Sequence, residues 1–459
     1  MGGIHNSRAS GQALRELLPR RVGATRLMSL AIAAAGAVVV STLTACGSAQ
    51  PSGTPTGTFR IQVWGQTTTM QDILKAYKSH YPHDAPKVTP TVYSAGADDA
   101  ASVNQLRLEL TSGKNVPDLV ILNANEIPAF AATGQLTDLQ PYIKNYLPGM
   151  TGAARSVMQW NGHYVGIPYD LNEKVWFYRK DLFQQAGINV ADIQTQAQFI
   201  AAGRQFHAKF PNDYIWNIAS SPQQYILNEL TSGNGTLFYN KATSKWVVAS
   251  NPGIREAFTT LQQLRASGVI NTPFDDFTPQ WQAGLASGVV ASVPVQNWLA
   301  EFLPTYAPKL KGDWGVTTWP SLGGDQNGAG SGEGGAVFVV PKSAPNKAAA
   351  IQYAIDMYMT ERGSLITYPI GNVVPSVTAA LNSPAVAQNS YFGPALINAY
   401  KAASTSFEVQ NYDPAAYKEN VIINNALDTF LASGSSDPNS ALQTAQSEME
   451  AQIGNPYGH

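Results

Sequence analysis

An α/β fold with parallel strands is predicted from the first recognisable elements of the chain, in which strands and helices alternate. Apolar residues of 59–63 alternate with polar ones, as in a half-buried strand. Residues 70–77 carry apolar side chains at helical spacing, and a second strand follows at 88–93. A helix over 99–112 then leads to a wholly apolar strand at 117–122, of the kind buried on both faces. This order is typical of a parallel sheet covered by helices.

Length and composition indicate a large globular protein. The chain has 459 residues, which is too long for one ordinary core and predicts two or three domains. Apolar residues make up 44% and charged residues 13%, a balance that excludes extensive disorder beyond the ends.

The first 45 residues predict an export signal followed by a lipid-attachment site. Five arginines precede an Ala-rich apolar run over 27–40, which is shorter than the roughly 20 residues of a membrane-spanning helix. The run leads to Leu43-Thr44-Ala45-Cys46, which resembles the bacterial lipobox, and Cys46 is the only cysteine. The resemblance implies cleavage before Cys46, lipidation of its thiol and anchoring to the outer face of the bacterial cytoplasmic membrane. A plain signal peptide with an incidental cysteine is the alternative.

The mature chain is acidic. Without residues 1–45 it retains 24 Lys and Arg against 30 Asp and Glu, a net charge of −6. No basic stripe remains that would hold a phosphate backbone, so a nucleic-acid partner is not expected. Residues 46–57 are rich in Ser, Pro, Thr and Gly and are expected to form a flexible tether.

A series of short motifs runs through most of the mature chain. In chain order they are Ile61-Gln62-Val63-Trp64, Tyr81-Pro82, Gly113-x-x-x-Pro117-Asp118, Phe130-x-x-x-Gly134-x-Leu136-x-Asp138-Leu139, Tyr164-x-Gly166-Ile167-Pro168-Tyr169, Trp176-Phe177-Tyr178-Arg179-Lys180-Asp181, Gly334-Gly335, Pro341-Lys342-Ser343 and Gly371-x-x-x-Pro375. Each motif alone is common. Their order and spacing resemble extracellular solute-binding protein family 1, the sugar-binding lipoproteins of ABC transporters, similar to maltose- and multiple-sugar-binding proteins.

The resemblance implies a type II periplasmic-binding-protein-like fold. Such a fold has two α/β lobes, each with a mainly parallel sheet flanked by helices, and a ligand cleft between them. The expected boundaries are residues 58–168 plus 313–362 for the first lobe and 169–312 plus 363–459 for the second. The crossings between the lobes are expected near residues 166–170, 312–315 and 360–372.

Sugar recognition requires flat apolar faces that stack on a pyranose ring and planar polar groups that hydrogen-bond neighbouring hydroxyls. Open parallel sheets bind ligands where their strands end. The alternative role of Asp170 is to cap a turn, and that of Glu126 is to cap the next helix. The alternative for Trp64 and Trp216 is burial in a core. The candidate ligand-binding residues at predicted strand ends, crossings and turns are Trp64, Gln66, Tyr93, Asn123, Asn125, Glu126, Asp170, Trp216, Tyr225, Asn297, Trp298, Glu333, Gly334, Gly335 and Asn372.

The family resemblance implies a monomeric, extracytoplasmic component of an ABC importer that presents a carbohydrate to the transmembrane subunits of the permease. We expect no cofactor, metal or catalysis, because the chain lacks the common metalloprotease, hydrolase and P-loop motifs. The carboxylates of Asp98-Asp99 and Asp275-Asp276 are chain neighbours, which seldom converge on one bond as a glycosidase requires. A binding protein for a polyamine, peptide or other small solute and an extracellular glycoside hydrolase are the alternatives.

Overall fold

The computed structural model describes residues 58–458 apart from 66, 84–88, 95–98, 218–237, 272–273, 275–277, 320–321, 323–334 and 405–411. The predicted signal peptide, Cys46 and the tether lie outside the described residues. So do four candidate site residues, namely Gln66, Tyr225, Glu333 and Gly334.

The described strands are short and group into two main sheets and three two-stranded pairs. They are β1 (Arg60–Val63), β2 (Thr91–Ser94), β3 (Leu119–Asn123), β4 (Gln159–Trp160), β5 (His163–Tyr164), β6 (Gly166–Asp170), β7 (Lys174–Arg179), β8 (Trp216–Asn217), β9 (Tyr239–Asn240), β10 (Lys245–Trp246), β11 (Ile270–Asn271), β12 (Ser292–Gln296), β13 (Trp314–Thr318) and β14 (Ala336–Val339). The pairs β4–β5 and β9–β10 are antiparallel and the pair β8–β11 is parallel.

Helices occupy much of the remaining described chain. They are α1 (Thr67–His80), α2 (Asp99–Ser112), α3 (Ile127–Ala131), α4 (Gln140–Ile143), α5 (Gly152–Val157), α6 (Lys180–Gln185), α7 (Gln196–Lys209), α8 (Pro252–Ala266), α9 (Pro279–Ser287), α10 (Leu299–Tyr306), α11 (Lys347–Tyr358), α12 (Glu361–Gly371), α13 (Thr378–Leu381), α14 (Ala395–Ala403), α15 (Ala416–Ser433) and α16 (Asn439–Gln452). None of these described helices combines the length and apolar character needed to cross a membrane.

The first sheet has the strand order β2-β1-β3-β14-β6. Strands β1, β2 and β3 are parallel, as predicted, whereas β14 runs antiparallel to both β3 and β6. Every residue of β3 is buried, which explains its unbroken apolar sequence. The four apolar residues predicted to form the buried face of α1, Met70, Ile73, Leu74 and Tyr77, are all buried.

The second sheet differs from the prediction of a mainly parallel sheet. Its order is β12-β7-β13, and both neighbours run antiparallel to β7. Strands β12 and β13 follow one another through helix α10 and run parallel to each other, but β7 lies between them and runs in the opposite direction. The expected second crossing near 312–315 lies at the start of β13, a strand of this sheet. The expected third crossing is helix α12.

The two main sheets pack into separate cores. The first sheet, α1 and α11 build one core around Ile121, Phe338 and Tyr353. The two faces of β7 carry two further clusters, one around Trp176 and Phe199 and the other around Phe177 and Leu396. The chain joins the two sheets directly through Leu171–Glu173, between β6 and β7. The exact lobe boundaries stay a prediction.

The Pro117-Asp118 motif has a structural role in the first core. The buried carboxylate of Asp118 accepts hydrogen bonds from two backbone N–H groups, Arg60 at 2.9 Å and Asn346 at 2.6 Å. These bonds tie the start of β1 and the residue before α11 to the start of β3. Charge-assisted bonds of this kind are stronger than neutral ones, which accounts for an acid at a buried position.

Candidate functional site

Three strand ends of the first sheet meet at one edge and bring several predicted site residues together. Ala336 at the start of β14 is paired with Asn123 on β3 and with Asp170 on β6. Gly335 accepts a hydrogen bond from the Ala124 N–H over 2.9 Å. Asn123, Asp170 and Gly335 are therefore neighbours, although they are far apart in the sequence.

The second sheet reaches this edge through the segment that follows β12. The side-chain amide of Asn297 donates to Asp170 Oδ1 over 2.8 Å, and its backbone N–H donates to the Glu173 carbonyl oxygen over 3.0 Å. Both Asp170 and Asn297 are buried. Helix α10 begins two residues later and carries Glu301, which the sequence analysis did not select. We call Tyr169, Asp170, Glu173, Asn297 and Glu301 the Asp170 cluster.

Burial dominates the electrostatics of the Asp170 cluster. It raises the pKa of Asp170 to about 6, although hydrogen bonds from Asn297 and from the Leu171 N–H oppose the rise. Burial, and after it the charge of Asp170, raises the pKa of Glu301 to about 8, although hydrogen bonds from Thr69 and Tyr169 oppose the rise. The pKa of Glu173 is also well above its usual range, first through burial and then through Asp170. A carboxyl group with a pKa of about 8 holds its proton at pH 7, whereas one with a pKa of about 6 is mostly ionised.

Several acceptor atoms at these strand ends are out of contact with solvent and have no hydrogen-bond partner in the described part of the chain. They are Asn125 Oδ1, Glu173 Oε2, Asn297 Oδ1 and Glu301 Oε1. A buried polar atom without a partner costs free energy, so this set of acceptors favours a ligand that donates hydrogen bonds.

Trp298 is half-buried and lies beside the Asp170 cluster at the start of α10. Its indole Nε1 donates to Gln296 Oε1 over 2.9 Å, and its ring stands perpendicular to that of Phe302 with centroids 5.8 Å apart. Trp64 is also half-buried and packs against the first core. Both rings thus retain accessible surface.

Other predicted site residues have structural roles. Glu126 is buried, and its carboxylate reaches back to accept the Asn123 N–H over 2.8 Å, which fixes the turn after β3. Asn372 ends α12 in the left-handed conformation, with φ of 55°. Its amide donates to the Ala300 carbonyl oxygen over 3.0 Å and accepts from Asn389 over 2.6 Å. Asn372 therefore supports α10.

Trp216 and Tyr93 do not join the strand-end group. Trp216 is 2% exposed and contacts the rings of Phe199 and Trp319 edge to face, so core packing replaces its predicted role. The Tyr93 hydroxyl is engaged with Gln62 Oε1 at 3.1 Å and Glu109 Oε2 at 3.2 Å. Burial and the neighbouring Glu109 carboxylate raise the pKa of Tyr93.

Substitution of Asn297 by alanine is expected to lower the free energy of unfolding by about 1 to 2 kcal/mol, because the buried Asp170 carboxyl loses one of its two donors. Urea denaturation measures the change. Asn425→Ala, on the exposed face of α15, is the matched control and should alter stability by less than about 0.5 kcal/mol. Equal stability of Asn297→Ala and the wild-type protein would contradict a structural role for this bond.

Comparison with known proteins places the chain in a family. Residues 64–356 match the family model described as bacterial extracellular solute-binding protein. The chain belongs to this family. The match covers 293 of the 459 residues, and it contains the second sheet, the Asp170 cluster and every strand of the first sheet except β1.

Relatives of this solute-binding protein share limited identity. The arabinooligosaccharide-binding protein of Bacillus subtilis is 22% identical over 298 residues, which cover 64% of this chain and 66% of that one. A maltooligosaccharide ABC transporter solute-binding lipoprotein of Streptococcus pneumoniae is 23% identical over 355 residues, which cover 73% and 76%. The match thus spans just under two thirds of the Bacillus protein.

A solved structure shares the fold. The ABC transporter associated binding protein from B. animalis subsp. lactis Bl-04, in complex with beta-1,6-galactobiose, is 20% identical with a TM-score of 0.73, covering 87% of this chain and 98% of that one. The likeness confirms the predicted type II periplasmic-binding-protein-like fold. Members of the family are binding proteins.

Proposed function

We propose that this solute-binding protein captures a sugar or oligosaccharide between its two lobes and serves as the extracytoplasmic binding component of an ABC importer. The names of the relatives support the substrate class, since both bind oligosaccharides by name. The solved structure with a bound disaccharide supports it as well.

The observation that carries the proposal is the group at the meeting strand ends. A half-exposed indole, Trp298, stands next to a polar seam in which Asn297 of one sheet bonds Asp170 of the other. Asn125 and Asn297 each offer a side-chain oxygen without a hydrogen-bond partner among the described residues. Sugar hydroxyls are the donors that such oxygens accept, and a pyranose face suits the indole.

The solute is expected to bridge the lobes and to favour their closed arrangement through its higher affinity for that form. Hydrogen bonds of about 0.5 to 1.5 kcal/mol each and stacking of a similar size reach a micromolar dissociation constant, about −8 kcal/mol, when several act together. The closed protein would then be presented to the transmembrane subunits of the permease as a monomer.

We also propose that Cys46 is lipidated and holds the protein at the outer face of the cytoplasmic membrane. The support is the Leu43-Thr44-Ala45-Cys46 sequence and the lipoprotein among the relatives. Mass spectrometry of the membrane-bound protein tests it. The expected N-terminal peptide begins at a diacylglycerol-modified Cys46, and loss of this mass in Cys46→Ala is the control.

A thermal-shift screen of the purified protein against mono-, di- and trisaccharides tests the function. A ligand that binds only the folded protein stabilises it by about 2.7 kcal/mol at 100 times its dissociation constant, so the correct sugar should raise the melting temperature with dose. A shift with a polyamine or peptide and none with any saccharide would contradict the proposal. Hydrolysis of chromogenic glycosides at an enzymatic rate would show instead that the protein is a glycoside hydrolase.

A further inference from the structure

Glu301 stands on the boundary between the two lobes. Its helix, α10, packs through Leu299 and Leu303 into the cluster on one face of β7. The side chains that approach its carboxyl, Tyr169 on β6 and Thr69 on α1, belong to elements of the first core. The carboxyl therefore fills a gap between parts that a hinged protein moves relative to each other.

The environment of this carboxyl lacks a compensating positive charge. Asp170 faces it from β6, and Tyr358 on α11 lies within electrostatic range of it. Glu173 interacts with Asp170 from the linker to β7. Of the described groups that act on Glu301, none is a lysine or an arginine. Tyr169, the remaining titratable neighbour, is a hydrogen-bond donor.

The basic residues of β7 are directed elsewhere. Side chains alternate along a strand, so Lys174 lies on the same face of β7 as Trp176. Helix α10 packs on the opposite face, in the cluster that contains Phe177. Arg179, at the far end of β7, is paired with Asp181 at 2.7 Å. A Glu301 carboxylate would thus be buried next to like charge. Its pKa of about 8 means that it carries a proton at pH 7 in this arrangement.

We propose that Glu301 takes up a proton when the lobes close on the ligand, so that the affinity for carbohydrate falls as the pH rises. This inference rests on the proposed function. Separation of α10 from α1 and β6 admits water, which returns the carboxyl to its ordinary acidity and releases the proton. We take the arrangement described here, in which α10 contacts α1 and β6, as the closed one. Closing then takes up protons between the ordinary pKa of 4.5 and the raised pKa of about 8.

The sign of the pH effect follows from this difference in bound protons. Below pH 4.5 both forms are protonated, and above pH 8 both are ionised, so the closed form is favoured most at the acidic end. Between these limits the dissociation constant rises by up to about tenfold per pH unit for one linked proton.

Calorimetry of the full chain with a saccharide found in the thermal-shift screen tests the proposal. The dissociation constant should be at least about tenfold weaker at pH 8.5 than at pH 6. Binding at pH 7, measured in buffers of different ionisation enthalpy, should take up between about 0.5 and 1 proton. Glu301→Gln should lower both the ratio of the two dissociation constants and the number of protons taken up by more than half. The matched control Glu448→Gln, on the exposed surface of α16, should leave both quantities unchanged.

A pH-independent dissociation constant with no proton uptake in the wild-type protein would overturn the proposal, and this result requires no variant to fold. The rise in melting temperature on addition of saturating saccharide gives a separate readout. It should be smaller at pH 8.5 than at pH 6 in the wild-type protein and more nearly equal at the two pH values in Glu301→Gln. A saccharide that binds equally well at both pH values supports the proposed function and overturns the proton site, whereas the absence of any saccharide ligand overturns both.

Discussion

Replacing Trp298 by alanine is expected to weaken carbohydrate binding at least tenfold while the fold remains intact. The indole is half-buried, and its hydrogen bond to Gln296 and its contact with Phe302 hold it at the start of α10. Alanine removes the surface on which a sugar ring would stack, and a tenfold loss corresponds to about 1.4 kcal/mol, the size of one good aromatic contact. Isothermal titration calorimetry measures the change, and circular dichroism reports on the fold.

Trp160→Ala is the matched control for this variant. Trp160 is also half-buried and packs against the first core, but it lies on the β4–β5 hairpin and not at the meeting strand ends. We expect it to bind carbohydrate like the wild-type protein. An unchanged dissociation constant in Trp298→Ala would remove this ring from the proposed site.

Gly335→Ala is expected to lower the free energy of unfolding by about 3 kcal/mol. Gly335 has φ of +92°, where side chains are strained, and a Cβ there would lie 2.2 Å from the Asp170 carbonyl oxygen and 3.0 Å from Leu171 Cα. Both contacts are backbone atoms at the β6 end, so relief requires movement of β14 or of the link between the sheets. The same movement would separate Asp170 from Asn297, and carbohydrate affinity should fall with stability.

Gly434→Ala is the control that separates the strain of the left-handed backbone from the clash of the added Cβ with neighbouring atoms. Gly434 follows α15 with φ of +69°, and nothing lies within 4 Å of a Cβ built there. It should therefore cost only the strain of the left-handed conformation, about 1 kcal/mol. Urea denaturation of both variants gives the comparison, and equal losses would contradict the close approach at Gly335.

The local pattern of the chain predicts the first sheet well. The spacing of Met70, Ile73, Leu74 and Tyr77 corresponds to the buried face of α1, and the apolar run after Asp118 is the fully buried strand β3. The antiparallel second sheet was not predicted from the residues, because alternation indicates which face of β7 is buried and not the direction of the strands beside it.

The site is only partly predictable for a related reason. Asn123 follows a predicted strand, Asp170 lies at a predicted crossing, and Asn297 and Trp298 precede the predicted return to the first lobe. The structure brings these four residues to one edge. Glu301 was missed because its environment is made by residues far away in the chain. The one available signal is an acid inside the otherwise mostly apolar stretch Leu299–Tyr306.

Trp216 illustrates the opposite error. Its large aromatic ring and its place in the predicted second lobe favoured a stacking surface, but Phe199 and Trp319 enclose it in a core. A sequence does not distinguish a tryptophan that contacts a ligand from one that contacts two other rings, since both need the same large apolar surface.

The crystal structure of the protein with the saccharide selected by thermal shift is the most direct measurement. We expect the sugar to lie between the two sheets, with one ring against Trp298 and hydroxyls within 3.2 Å of Asn125 Oδ1 or Asn297 Oδ1. A saccharide bound elsewhere, with Trp298 and both amide oxygens out of contact, would contradict the account.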